Sequence, residues 1–296
     1  MLGRLPASLL FGSILAAQTP RVSENVLQNT GAPLSISFAC TNDDLEWAGL
    51  TCTDEACPIY VDLTSAAGQG DVVFVAGNFH AVNATLYSVL LATSDGGRTW
   101  REPVARIRGV SFERIQALDG LTAVISGEMM QPLPMDPFFL LTSDGGKTWD
   151  RVPLFEQGTP GLIRQFSFDS KDHGKALVDL GAGDARYEVY ETQTGGREWT
   201  IREKSATLPK FPDSAVADWR LRAEPKRFRL EKLEDSHWSP FASFLIAAAN
   251  CKETPPPPAP EPSVQPTAAN EADDAVSEIR LDRSKDDAGK KRKPQQ

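Results

Sequence analysis

The chain has 296 residues, 41% of them hydrophobic and 24% charged, which is an ordinary globular composition. Its formal net charge of −9 and pI near 5.0 argue against a nucleic-acid-binding protein, which usually shows a basic face. Beyond the N-terminus no apolar run reaches the roughly 18 residues of a membrane-spanning helix, and the 22 glycines and 22 prolines suit many short strands better than long helices.

The N-terminus reads as an export signal. Arg4 supplies a positive start, Leu5 to Ala17 an apolar run, and Ala16 and Ala17 small residues before Gln18, so residues 1–17 are the predicted signal peptide. Leu15 departs from the small residue usual three places before such a cut, and the competing reading is an unprocessed N-terminus. Export predicts an extracytoplasmic protein, periplasmic or secreted, with no integral membrane segment in the mature chain. The four cysteines, Cys40, Cys52, Cys57 and Cys251, then predict two disulfides with three possible pairings. They contain no C-x-x-C pair, and His80, His173 and His237 are scattered, so no metal site is expected.

From about Pro33 the chain repeats. Thr93-Ser-Asp-Gly-Gly-Arg-Thr-Trp100 and Thr142-Ser-Asp-Gly-Gly-Lys-Thr-Trp149 are followed by Gln193-Thr-Gly-Gly-Arg-Glu-Trp199, with the tryptophans 49 and 50 residues apart. A period of that length means one supersecondary unit copied along the chain. Each unit divides into four β-rich runs. The first clear unit has Pro58–Leu63, Asp71–Ala76, Tyr87–Thr93 and Trp100–Val104. The second has Val110–Ala117, Thr122–Gly127, Pro137–Thr142 and Trp149–Leu154. The third has Arg164–Phe168, Lys175–Leu180, Tyr187–Glu191 and Trp199–Glu203. Four short strands per unit is the grammar of a propeller blade. Weaker copies of the turn occur at Asp54, before Tyr60, and at Asp235, before Trp238. The predicted fold is an all-β propeller of about five four-stranded blades over residues 33–251, the alternative being four blades and a loose N-terminal arm. Residues 252–296 read as a disordered Pro-rich and charged tail, from Pro255-Pro-Pro-Pro to Lys290-Lys-Arg-Lys, able to act as a stalk or tether or to have no function.

In the repeated turn an aspartate accepts backbone N–H groups, glycines supply positive φ, and a tryptophan buries a large area against the next blade. This is the Asp box, or BNR repeat. Asp95, Gly97 and Trp100 form one full copy and Asp144, Gly146 and Trp149 another; the third keeps Gly196 and Trp199 but puts Gln193 or Thr194 in place of the aspartate. The role of these residues is structural. With the phrase Gly-x-Val-x-x-Ala-Gly ahead of the box, residues Leu50 to Trp199 resemble the photosystem II stability/assembly factor family of β-propellers. The resemblance implies a thylakoid-lumen or periplasmic binding platform, with no enzymatic activity and no required cofactor. The same repeat occurs in sialidases and sortilin-type receptors, so the motif is not specific for photosynthesis.

A carbohydrate-binding or sialidase-like glycosidase is the alternative function. Such a sialidase needs an arginine triad, a tyrosine nucleophile with a glutamate partner and an aspartate acid. The chain has only Tyr60, Tyr87, Tyr187 and Tyr190, and in Phe112-Glu-Arg-Ile115 the faint arginine motif is broken by Glu113. No catalytic constellation is found. A protein partner is therefore expected on the face opposite the boxes, where the loops Asn78–Thr85, Met129–Asp136 and Gly181–Arg186 are longer than a hairpin requires. The candidate contacts are Asn78, His80, Asn83, Met129, Met130, Met135, Asp184 and Arg186. The methionine cluster also fits loop packing or Cu(I), and Asn83-Ala-Thr85 is a formal glycosylation sequon. Cys40 in the first predicted blade and Cys251 at the end of the last predict a closing disulfide, with Cys52 and Cys57 paired across the degenerate first turn.

Overall fold

The computed structural model of the protein describes residues 26–131, 133–211 and 218–254. The predicted signal peptide and the predicted tail from residue 255 onward lie outside the described residues. In chain order the elements are β1 (Leu27–Gln28), α1 (Asn42–Trp47), β2 (Cys57–Gln69), β3 (Val72–His80), β4 (Thr85–Thr93), β5 (Thr99–Trp100), β6 (Val110–Ala117), β7 (Ala123–Met129), β8 (Met135–Thr142) and β9 (Asp150–Pro153). Then follow β10 (Leu162–Phe168), β11 (Gly174–Asp179), β12 (Tyr187–Thr192), β13 (Thr200–Ser205), β14 (Trp219–Glu224), β15 (Arg227–Glu234), β16 (His237–Leu245) and β17 (Ala247–Cys251).

The protein is a β-propeller built of antiparallel blades. The first is β17-β2-β3-β4, the second β6-β7-β8-β9, the third β10-β11-β12-β13 and the fourth β14-β15-β16. The predicted run Val110–Ala117 is β6 end to end. Pro58–Leu63 is only the first half of the 13-residue β2, which a bulge between Leu63 and Ser65 carries onward. Trp100–Val104 shrinks to β5 and a bridge from Arg101 to Ala92, because Pro103 has no N–H for a ladder. The middle strands are buried on both faces and so read as continuous apolar runs, as in Val72–Ala76 and Phe138–Leu141.

The described residues form four such blades and an N-terminal arm, which replaces the five-blade count. The stretch around Asp54, which the sequence offers as the turn of a first blade, lacks Gly-Gly and Trp, and among the described residues no strand pair forms there. Instead Thr41 caps α1, accepting from the Asp44 N–H at 3.1 Å, and the Cys52–Cys57 turn leads straight into β2. The arm closes the molecule. Leu27–Gln28 pairs with β5, and Leu34 lies parallel to β16, donating to the Ser243 carbonyl and accepting from Leu245 N–H, both at 2.8 Å. Ile36 and Phe38 continue it into a core shared with the first and fourth blades. At the other end of the chain β17 joins the first blade, with Cys251 opposite Cys57. Cys40 is bonded to Cys251, and Cys52 to Cys57.

Blades meet through aromatic residues. Trp149 stands edge-on to Phe74 of the first blade at 5.4 Å, Trp199 stacks on Phe139 of the second at 4.8 Å, and Trp100 meets Phe244 of the fourth at 5.2 Å. The box glycines lie flat on the same neighbours. A Cβ on Gly146 would sit 2.4 Å from the Phe74 ring, and one on Gly97 2.7 Å from Phe241. Both also hold positive φ, +79° and +83°, so the turn needs glycine twice over. Asp95 accepts from the Thr99 N–H and hydroxyl and from the Thr93 hydroxyl, at 3.0, 2.7 and 2.8 Å. Asp144 does the same with Thr148 and Thr142. In the third copy Thr194 stands in for the aspartate, accepting from Glu198 N–H at 2.9 Å. Around the axis, inner-strand side chains stitch successive blades. Thr64 donates to the Phe112 carbonyl at 2.6 Å, Gln116 both donates to and accepts from the Phe168 backbone at 2.8 Å, and Trp219 donates to the Gly68 carbonyl at 2.9 Å. They surround a central cavity of about 450 Å³.

The Cys40–Cys251 bond spans 211 residues, for which loop-closure entropy gives about 5 kcal/mol of stabilisation. Cys40→Ala with Cys251→Ala should lower the urea midpoint markedly, whereas the same change at Cys52 and Cys57, only 5 residues apart, should cost far less. Equal losses in the two pairs would show that the long bond is not what closes the ring. The boxes make a separate prediction for acid. The Thr99 N–H and then its hydroxyl hold Asp95 at about 2, and the Thr148 hydroxyl and then its N–H hold Asp144 at about 2, both below the ordinary 3.8. A depressed carboxyl contributes fully above its unfolded value and loses that contribution as the pH falls through its folded value. Thermal melts of Asp95→Asn and Asp144→Asn are expected to be lower than the parent at neutral pH and to converge on it near pH 2. A constant gap across that range would rule out the carboxylate charge as the cause.

Candidate binding site on the loop face

Between the first and second blades, on the face opposite the box turns, lies a cavity of about 410 Å³. Strand β2 brings Asp62 and Thr64 to it, β3 brings Asn78 and His80, β6 brings Ser111 and Glu113, and the turns after β3 and β7 bring Val82, Asn83 and Met130. The β2 bulge makes this convergence possible. Opposite it is Gly77, where a Cβ would meet the Asp62 carbonyl oxygen at 2.1 Å, so the two strands approach as only glycine allows. Thr64, turned by the bulge, donates across to the second blade. Asn78 is buried, and its Nδ2 donates to Ser111 Oγ at 3.0 Å. His80 Nδ1 faces the Ala81 carbonyl at 3.1 Å; a carbonyl only accepts, so the proton is on Nδ1 and Nε2 keeps its lone pair in the neutral ring.

The rim is apolar. The turn from Ala81 to Ala84 closes with a 2.9 Å backbone hydrogen bond and leaves Val82 81% exposed. In the next hairpin loop Leu133 is 66% exposed. Helix α1 braces this end of the molecule. Tyr87 donates to Asp44 at 2.6 Å, and Arg108 reaches Asp43 and Asp44 at 2.6 and 2.8 Å. Burial opposes the Asp44 charge, but the hydrogen bonds from Tyr87, Thr41 and Arg108 outweigh it and hold the carboxyl below its usual range.

Of the eight candidate contacts, Asn78, His80, Asn83 and Met130 line this one cavity. Met129 packs in the core beneath it, and its sulfur and the Trp47 ring crowd the α-carbon of Gly109 from two sides. Met135 pairs with Met129 at the base of the hairpin and is half-buried. The third-blade pair lies elsewhere. Arg186 forks onto the buried Asp179 at 2.8 and 2.9 Å, which Arg164 also meets at 2.8 Å, while Asp184 is exposed. Asp62 and Glu113, absent from the sequence-based set, complete the cavity wall. Glu113 is the residue that breaks the arginine motif, and that break was the signal for it. Asp62 stands between Val61 and Leu63 in an ordinary alternating strand and gives no signal at all.

Behind Glu113 is a buried carboxyl. Glu128 is 3% exposed, its Oε2 has no partner, and burial followed by the nearby Glu113 charge pushes it up to about 8 from 4.5; the Ile163 N–H donates to it and opposes this. The buried Ser126 hydroxyl on the same strand also lacks a partner.

No protein-family model matches the chain, and no curated protein matches it. Among solved structures it is similar to YCF48 bound to a D1 peptide, at 16% identity over 64% of this chain and 56% of that one, with a TM-score of 0.35. It is similar to YCF48 from Cyanidioschyzon merolae at 17% identity, 62% and 56% coverage and a TM-score of 0.32. A GH74 xyloglucanase from Xanthomonas campestris follows at 13% identity, 60% and 29% coverage and 0.32. The chain thus spans a little over half the length of the YCF48 chains that it matches.

Glu128 binds its proton more tightly folded than unfolded, so its contribution to stability is fully present below about 4.5 and is lost as the pH rises toward about 8. Glu128→Gln should flatten that decline in melts taken between these limits and raise the midpoint at the alkaline end. A parent melting point that does not change over the range would show that the carboxyl titrates normally.

Proposed function

We propose that the protein is a non-catalytic, exported β-propeller that acts as a scaffold by binding a protein partner on its loop face, at the cavity between the first and second blades. The observation that carries this reading is the pairing of an apolar rim with a polar floor. Val82 and Leu133 are the most exposed large apolar side chains among the described residues, and both project from loops of this face. Burying such residues is favourable only against another apolar surface. The resemblance to the assembly-factor propellers implies the same kind of role, and two disulfides suit an oxidising compartment.

The geometry gives a tyrosine-based glycosidase little support. Tyr190 does donate to a glutamate, Glu188, at 2.5 Å, but both are buried and neither lines a described cavity. Burial followed by Glu188 pushes the phenol well above its usual value, the wrong direction for a nucleophile.

The test is a photo-crosslinking residue placed at the exposed Asn83 and, separately, at the box-face position Arg98, in protein exposed to an extracytoplasmic fraction. A defined adduct from position 83 alone, lost when Val82→Asp and Leu133→Asp are added, is the expected result. Adducts from position 98, or capture that ignores the double variant, would overturn the loop-face assignment.

A further inference from the structure

We propose that the loop-face cavity receives a protonated amine or guanidinium, the head of a lysine or arginine on the partner polypeptide; this rests on the loop-face reading above. Five carboxylate residues are buried among the described residues: Asp44, Glu128, Asp179, Glu188 and Glu231. Four of them hold a cation, respectively Arg108, Arg164 with Arg186, Lys204 and Arg220. The fifth, Glu128, has none, and the charge that acts on it is that of another acid, Glu113, at the cavity wall. The side-chain carboxylates of Glu113, which is half-buried, and Asp62, which is exposed, both on inner strands, make no hydrogen bond and no ion pair with any described residue. The cavity between them is lined by no lysine or arginine. One seam of the molecule therefore carries three acids without a counter-charge, and one of them, Glu128, is the buried acid that lacks the cation the other four buried acids hold.

The floor repeats the preference. Asn78 is 7% exposed and its Nδ2 is committed to Ser111, which leaves the amide oxygen, with no partner of its own, as the atom offered to the cavity. His80 spends its N–H on the Ala81 carbonyl and offers Nε2, an acceptor. Two carboxylates, an amide oxygen and an imidazole nitrogen form a set of acceptors that an ammonium or guanidinium, which only donates, would satisfy. The rim suits the rest of such a side chain. Val82 and Met130 present apolar surface over which the methylene stem of a lysine or arginine can lie while its head reaches the acids. The chain's net charge of −9 would also draw in a basic partner at long range.

The probe is a set of capped nonapeptides, identical except for a central Lys, Arg or Gln between Leu and Val, titrated calorimetrically near physiological ionic strength. Lys and Arg peptides are expected to bind about tenfold or more tightly than the Gln peptide, the size of one charge-assisted hydrogen bond. Asp62→Asn with Glu113→Gln should erase that discrimination. Glu55→Gln with Glu156→Gln, equal in charge but exposed and away from the cavity, should preserve it, with melting points taken for both. Equal binding of the Gln peptide, or an equal loss in the two double variants, would mean unspecific attraction to an acidic surface and overturn the proposal. The crosslinking assay separates the two readings. If Asp62→Asn, Glu113→Gln still captures the partner at position 83 as the parent does, the cation site falls and the loop-face reading stands. If capture also survives Val82→Asp, Leu133→Asp, both fall.

Discussion

Each join that the described cores make depends on one contact, a box tryptophan set against an aromatic ring of the blade before it. Trp149 on Phe74, Trp199 on Phe139 and Trp100 on Phe244 are the same contact made three times. The aspartate or threonine of the turn contributes nothing to the interface directly. It fixes the backbone so that the second glycine lies against the blade before it, on an aromatic ring for Gly97 and Gly146 and on Leu141 for Gly196, and the tryptophan follows. Because an aromatic pair and a flat glycine fit in only one relative position, the contact sets the spacing of the inner strands. That spacing is what lets Thr64 and Gln116 reach the next blade's backbone.

The fourth blade departs from this rule. Its turn carries Asp235 and Ser236 at positive φ, +47° and +67°, where the others have glycines. Trp238 lies under the Arg220 guanidinium at 4.2 Å rather than on an aromatic ring of the third blade. Three apolar cores join the described blades: first with fourth, first with second, and second with third. The fourth blade is held instead from its other side, by the arm on β16, by the continuation of the chain into β17, and by the bond from Cys40 to Cys251. A blade without its own tryptophan contact is thereby fastened by the two chain termini, which accounts for the length of sequence between the bonded cysteines.

Much of the fold was legible because the box is local. Its residues contact one another within eight positions, and a motif of that kind is read directly from sequence. The middle strands were legible as apolar runs, since a strand buried on both faces leaves no alternation to interpret. The N-terminal region was not. Thr41-Asn-Asp-Asp44 is a helix start, but the nearby Asp54 imitates a box, and only the tertiary pairing of Leu34 with β16 decides that no blade forms there. Half of the candidate contacts fell together because the loop after β3 is a single local unit. Asp184 and Arg186 did not join them: the loop of the third blade is also longer than a hairpin requires, but there Arg186 is held by Asp179.

The cavity wall shows why binding residues of this kind escape such a reading. Asp62 and Glu113 lie 51 positions apart on the inner strands of different blades, and each looks like an ordinary polar residue of a half-buried strand. They become neighbours only after the Phe74–Trp149 contact has set the first blade against the second and the β2 bulge has rotated the chain ahead of Thr64. The unpaired state of these carboxylates is thus a consequence of assembly, and their sequence neighbours do not reveal it. Elsewhere the same assembly brings an arginine or lysine to each acid that it buries. Where it does not, burial raises the Glu128 carboxyl toward about 8 and Glu113 faces an open cavity, the place where the proposed cation of a partner would supply the counter-charge.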